Sequence, residues 1–237
     1  MYEHHYTIHK QLCDQLGNLS PYGVFWLLND IMERNANSYG LGTDYHLKRN
    51  LAWVLVAYDV HISGMLKQGD RAIVGTLPYA FKKMFGFRKY HIKDNHGNVI
   101  LTGKAKFVLV NINTKQLIKP PLDMLKKFTD AKKEPASLPF DKIPHEVNTP
   151  KQKQFFIIDK ELIDVNGHLN NANYVKLATE LNAQPLTPPQ RMRVEYKKEV
   201  FAGDKVTWIK HHHPNGVYHV SMLRQGEVCC ELLFEKL

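Results

Sequence analysis

Nowhere in the 237 residues does an apolar run approach the roughly 18 residues that a membrane-spanning helix needs. The opening MYEHHYTIHKQL also lacks the apolar centre of a secretion signal. Both absences point to a cytoplasmic protein without a membrane partner. Cysteine is scarce as well: Cys13, Cys229 and Cys230 supply neither a disulfide framework nor a metal-binding spacing, as expected of reduced thiols that serve as packing. Acidic residues are in deficit, 23 against 32 Lys and Arg, for a formal net charge of +9. Such an excess favours an acidic partner, whether nucleic acid, an anionic membrane or an acidic protein. No nucleic-acid-binding motif accompanies it, although lysines cluster at 82–89 and 126–133.

What the chain does contain is a repeat. HYTIHKQL (5–12) and KQFFIIDKEL (153–162) both have the β-branched and aromatic content of half-buried strands. Each leads into one signature, Asp14-x-x-Gly17-x-Leu19-Ser20 in the first case and Asp164-x-x-Gly167-x-Leu169-Asn170 in the second. Self-similarity of this kind signals duplicated structure.

A helix follows each signature. Ser20 before Pro21 is an N-cap with proline at the first helical position, and Gly40 and Gly42 end the segment. Val24, Phe25, Trp26, Leu27, Leu28, Ile31 and Met32 cover most of the helix's first turns, so a sheet must wrap that end. Asn170 or Asn171 caps a shorter helix with Tyr174, Leu177, Ala178 and Leu181 at helical spacing, ended by QPLTPPQ. Strand-like segments follow in both units: LAWVLVAYDVHI with Gly69-Asp70 parallels RMRVEYKKEVF with Gly203-Asp204. Turns are expected at Asp94 to Asn98 and at Pro214-Asn215-Gly216.

One central helix gripped by an antiparallel sheet, twice over, describes an α+β tandem hot-dog. The expected units are residues 1–118 and 151–237. The Pro- and Lys-rich stretch 119–150 is read as a linker, with a short helix near Met124 to Phe128.

The segment Asp164-Val165-Asn166-Gly167-His168-Leu169-Asn170-Asn171-Ala172-Asn173-Tyr174 resembles the D-x-N-x-H-x-N-N-x-x-Y signature of the acyl-acyl carrier protein thioesterases of bacteria and plant plastids. Residues 51–62 are similar to that family's L-x-W-V strand and Gly86-Phe87-Arg88-Lys89 to its G-x-R-R segment. Phe107 to Asn111 and Thr114 to Leu117 resemble its W-V-x-x-N-x-x-T-R-R-L stretch, and Val194 to Glu199 its L-E-Y-R-R-E. The resemblance thus runs through nearly the whole chain in family order. With no plastid transit peptide, it points to the bacterial form.

Carried over residue by residue, the resemblance implies that Asp164, Asn166, His168 and Glu199 form the catalytic group, with no cofactor and no metal. Hydrolysis of a thioester needs an activated water or a nucleophile, a proton path and donors for the oxyanion. Alternation in an extended segment would set Asp164, Asn166 and His168 on one side. Asp164 or Glu199 then serves as general base, or a carboxylate attacks directly to give an anhydride; the residues leave both open, with the water route favoured. His168 would orient or relay the proton, Asn166 would fix the water or carbonyl, and N–H groups at the start of the second helix would receive the oxyanion. Glu180, on the same helix, is a rival carboxylate.

Unit one keeps Asp14 and Gly17 but has Leu16 and Asn18 where unit two has Asn166 and His168. It is therefore read as non-catalytic, with Phe25, Trp26 and Trp53 lining an acyl tunnel. A thiol route fits poorly, because plant relatives carry a cysteine directly after the glutamate and Val200 stands there instead. His211-His212-His213 is not read as a metal site, since its members are expected to alternate on an exposed strand end.

The partner implied is acidic acyl carrier protein, docked on a basic patch that includes Arg88 and Lys89 with Lys82 and Lys83. Coenzyme A thioesters are the alternative substrate. A dehydratase would need a spacing one residue longer than Asp164 to His168, and a non-catalytic acyl-binding protein would not need the polar set. The tandem supplies its own pairing, so a monomer is expected, with a homodimer as the alternative.

Overall fold

The computed structural model describes residues 1–128, 143, 150–180, 186–212 and 217–237. His213, the expected turn at 214–216, most of the expected linker and the end of the second central helix lie outside the described residues. Among the described residues, no helix is long and apolar enough to cross a membrane.

Among the described residues, ten antiparallel strands form one sheet. Unit one contributes β1 (Tyr2–Thr7), β2 (Leu51–Ile62), β3 (Arg71–Lys82), β4 (Phe85–Asp94) and β5 (Val99–Asn111). Unit two contributes β6 (Pro150–Ile157), β7 (Gln190–Tyr196), β8 (Lys205–His212), β9 (Tyr218–Arg224) and β10 (Glu227–Lys236). Their order across the sheet is β1-β3-β4-β5-β2-β7-β10-β9-β8-β6, so each half is the other read backwards. The join is β2 against β7, equivalent strands running antiparallel with Ala57 opposite Glu195 and Ile62 opposite Gln190. Two equivalent strands facing each other form a two-fold contact, which single hot-dogs obtain only by dimerising. The antiparallel sheets expected around the two central helices are joined through this contact into one hydrogen-bonded surface.

The central helices are α1 (Pro21–Ser38) and α4 (Asn171–Glu180), which pack on each other on the same side of the sheet. Two short helices, α2 (Thr43–Leu47) and α3 (Leu122–Lys127), cover one end of unit one. Ser20 Oγ caps α1 by accepting from Gly23 N–H at 3.0 Å while donating to the Leu12 carbonyl at 2.9 Å. Gly23 is required by that close approach: a Cβ there would lie 2.2 Å from the Leu12 oxygen. Val24, Phe25, Leu27, Leu28 and Ile31 are buried, and a single core runs from them through Tyr174, Val175 and Ala178 of α4.

The expected strands at 5–12 and 153–162 stop early, at Thr7 and Ile157, and tight 3₁₀ turns take over at Lys10–Leu12 and Lys160–Leu162. The cause is the same in both units. Ile8 exchanges backbone bonds with Asp70 and Gly69, and Ile158 with Asp204 and Gly203, drawing each chain under its helix.

Candidate active site

The loop from Asp164 to Leu169 is a closed turn. Asp164 Oδ1 accepts the N–H groups of Asn166 at 2.8 Å and His168 at 3.3 Å. Its backbone N–H reaches the His168 carbonyl at 2.8 Å and its carbonyl receives Gly167 N–H at 3.0 Å, with Gly167 at φ +83°. A left-handed residue at that point is what closes so small a loop, hence the glycine. The expected alternation of Asp164, Asn166 and His168 therefore fails, because alternation holds only in extended backbone. Asn166 points to solvent and the Asp164 carboxylate turns into the loop's own backbone.

The same loop occurs twice more. Asp14 Oδ1 accepts from Leu16 and Asn18, both at 2.9 Å, with Gly17 at φ +80°. Asp94 Oδ1 accepts from His96 at 2.9 Å and Asn98 at 2.8 Å, with Gly97 at φ +86°. Three loops with the pattern Asp-x-x-Gly-x share one geometry, and the carboxylate in each is a loop former. The sequence carried this signal in Asp94-Asn95-His96-Gly97-Asn98.

The loop is fastened to the segment after β7 by Leu169 N–H on the Val200 carbonyl, 2.8 Å. That bond brings His168 Nε2 to 3.5 Å from Glu199 Oε2, with the two side chains 30% and 46% exposed. Water can thus reach the pair. The imidazole also meets the Phe201 ring edge-on at 5.2 Å between centroids. Phe201 is held in turn, its N–H bonded to Asp204 Oδ2 at 2.8 Å and the Arg224 guanidinium 5.5 Å from its ring. Phe201, Asp204 and Arg224 were not among the expected site residues; Asp204 was visible in the sequence only as part of the Gly-Asp repeat. Glu180, the rival carboxylate, lies at the far end of the ten-residue α4, about 15 Å along the axis at 1.5 Å per residue.

The duplicate locates what unit one lacks. Leu19 N–H bonds the Leu66 carbonyl at 2.7 Å as Leu169 bonds Val200, so Met65 occupies the place of Glu199. Asn18 stands in the place of His168 and Leu16 in that of Asn166. Unit one keeps the loop and loses both partners of the pair.

Cys229 and Cys230 are both fully buried, and both belong to the main core although they are adjacent. Adjacent residues of a regular strand face opposite sides; a β-bulge between Val228 and Cys230 breaks that alternation here. Burial pushes both thiols up from their usual value, so neither is a ready nucleophile.

The aromatic set is not brought together as expected. Phe25 is buried against Tyr58, 5.1 Å between centroids, and Trp53 packs on Phe81 at 6.1 Å. Trp26 is 37% exposed on the solvent side of α1 and does not line the interior.

Arg88 cannot belong to a surface patch with Lys89. Successive strand residues face opposite sides of a sheet. Arg88 turns inward, only 7% exposed, and donates to Asn35 Oδ1 at 2.9 Å and Thr76 Oγ1 at 3.2 Å. Lys89 faces outward, its ammonium 4.9 Å from the Tyr79 ring. His211 is also buried rather than exposed, which corrects the reading of the histidine run.

Two units, each a helix packed on its half of one antiparallel sheet and joined through β2 and β7, define the tandem hot-dog class. The model of the acyl-ACP thioesterase N-terminal domain matches residues 1–128 and that of the C-terminal domain residues 148–233. The chain belongs to the acyl-ACP thioesterase family, and its reaction is hydrolysis of the fatty acyl thioester carried by acyl carrier protein. No curated protein matches the sequence. Among solved structures, a protein from Lactobacillus plantarum assigned as an oleoyl thioesterase is similar at TM-score 0.87 and 20% identity, over 98% of this chain and 94% of that one. An acyl-ACP thioesterase from Bacteroides thetaiotaomicron is similar at 0.83 and 20%, over 99% and 97%. The 12:0-ACP thioesterase from Umbellularia californica is similar at 0.84 and 19%, over 99% and 96%. At such identities these likenesses establish the fold.

Proposed function

We propose that Glu199 is the general base of this hydrolysis and His168 the group that orients it and relays the proton, acting in the cytoplasm to end fatty acyl synthesis. The observation that carries this reading is the 3.5 Å approach of His168 Nε2 to Glu199 Oε2 in the one unit that has both residues. Glu199 takes a proton from water, and the water oxygen attacks the thioester carbonyl carbon. The carbon–sulfur bond then breaks, the phosphopantetheine sulfur receives a proton through His168, and the free acid leaves. The positive end of α4, which begins at Asn171 beside the loop, favours the oxyanion. Asp164 acts through the loop, as a positioning residue.

The acyl chain is assigned to unit one, beside α1 and near Phe25, and the catalytic role to unit two. Release of free fatty acid from carrier protein thioesters of graded chain length, run beside the matching coenzyme A thioesters, tests the reading. Faster turnover of the carrier protein series supports it. Equal or faster turnover of the coenzyme A series would move the substrate to acyl-coenzyme A, and no hydrolysis of either would leave an acyl-binding protein.

A further inference from the structure

The sheet face turned away from α4 carries a second polar cluster. On β9, Tyr218, Val220 and Met222 face the helix, Tyr218 donating to the Ala178 carbonyl at 3.1 Å, so His219 and Ser221 face the other way. His211 on β8 lies directly opposite His219, and Glu231 on β10 directly opposite Ser221. Three adjacent strands thus aim two imidazoles, a hydroxyl and a carboxylate at one point. His219, Ser221 and Glu231 are fully buried and His211 nearly so.

The two imidazole rings are stacked, 4.4 Å between centroids and 26° between planes. His219 Nε2 lies 2.7 Å from Glu231 Oε2, and His211 Nε2 lies 2.7 Å from Ser221 Oγ. Ser221 Oγ donates to the same Glu231 Oε2 at 2.6 Å. One ligand atom from each of His211, His219 and Glu231 can be chosen so that all three lie within 4.8 Å of one another. A tetrahedral zinc ion with bonds of about 2.0 to 2.1 Å sets its ligand atoms about 3.3 Å apart. The largest separation in the set exceeds that spacing by no more than about 1.5 Å, and the strand ladder holds the three residues in register.

We infer that His211, His219 and Glu231 form a structural site for one divalent transition metal of the zinc class, with Ser221 bonded to the ligating carboxylate. Two neutral imidazoles and one carboxylate are a donor set such ions take, and a partner held on the ligating carboxylate is the usual support of such a site. The site lies apart from the His168–Glu199 pair but is mechanically tied to it. Lys197 Nζ stands 3.7 Å from Glu231 Oε1, and Glu199 follows two residues later. A bound ion would stiffen the end of β7 from which the Glu199 segment departs.

The experiment is cobalt(II) and zinc(II) binding to the full chain after removal of metal by chelator, read by metal analysis and by the visible bands of tetrahedral cobalt. One cobalt per chain with those bands is expected, displaced by zinc, together with a higher melting temperature. His219→Ala and Glu231→Gln, each checked for folding by circular dichroism, should bind at least about a hundredfold more weakly, a larger loss than the 10 to 100-fold usual for a supporting residue. A doubly substituted His4→Asn, His5→Asn chain should bind as the wild type does. Wild-type protein that holds no stoichiometric cobalt, or folded Glu231→Gln with undiminished affinity, would overturn the site and leave the cluster a hydrogen-bonded network.

Discussion

His168 and Glu199 sit 31 positions apart in the chain, yet Nε2 and Oε2 are 3.5 Å apart because Leu169 is bonded to Val200 across the same gap. The contact is made by two loops, each closed by an aspartate that is not itself in the pair: Asp164 closes one and Asp204 the other.

Asp14→Ala and Asp164→Ala should therefore cost similar stability, about 1 to 2 kcal/mol each for the loss of two backbone-to-carboxylate bonds. Urea unfolding checks this. A loss confined to one of the two would mean that the loops are not equivalent.

Asp204 gives a pH dependence. Burial raises its pKa, but the Arg224 hydrogen bond, the Phe201 N–H and the Arg224 charge outweigh it, so the carboxyl lies below its ordinary value. Since the folded pKa is the lower one, the stabilisation is complete above the unfolded value near 3.8 and is lost as pH falls through the folded value. Asp204→Asn should lower stability at pH 7 and converge on the wild type as pH falls below the folded value. Parallel curves across that window would contradict the assignment.

Arg88→Ala should act as a core substitution. Removing a buried side chain that satisfies Asn35 and Thr76 is expected to cost about 2 kcal/mol or more. The apparent Michaelis constant for carrier protein substrates and its salt dependence should stay unchanged. A shift in that constant with normal stability would return Arg88 to the docking surface.

Replacing both Cys229 and Cys230 by Ala should leave turnover within about threefold of the wild type, because thiols raised by burial contribute little thiolate. A folded but inactive double variant would restore a thiol mechanism.

Much of this architecture is legible in the residues. Ser20 before Pro21 announces α1, and the paired Asp-x-x-Gly-x-Leu and Gly-Asp signatures announce the duplication, because each encodes a local backbone geometry. His168 and Glu199 were reachable only through resemblance, since their meeting depends on the Leu169 to Val200 bond between distant segments. The basic appearance of Gly86-Phe87-Arg88-Lys89 misleads because strand alternation sends neighbouring charges to opposite faces. The bulge that buries both Cys229 and Cys230 leaves no mark in composition. Asp164 reads as a catalytic acid and as a turn former in the same letters, and the turn-forming part is visible only in the bonds it shares with Asp14 and Asp94.

The most direct test is turnover of an acyl carrier protein thioester by Glu199→Gln and by Asp164→Asn. Asparagine retains an oxygen that can accept the loop's two N–H bonds, while glutamine in place of Glu199 removes the base. The account predicts a loss of about a hundredfold or more for Glu199→Gln, the scale of lost acid–base assistance, and near wild-type turnover for Asp164→Asn. An active Glu199→Gln beside an inactive, folded Asp164→Asn would make Asp164 the base and contradict the account.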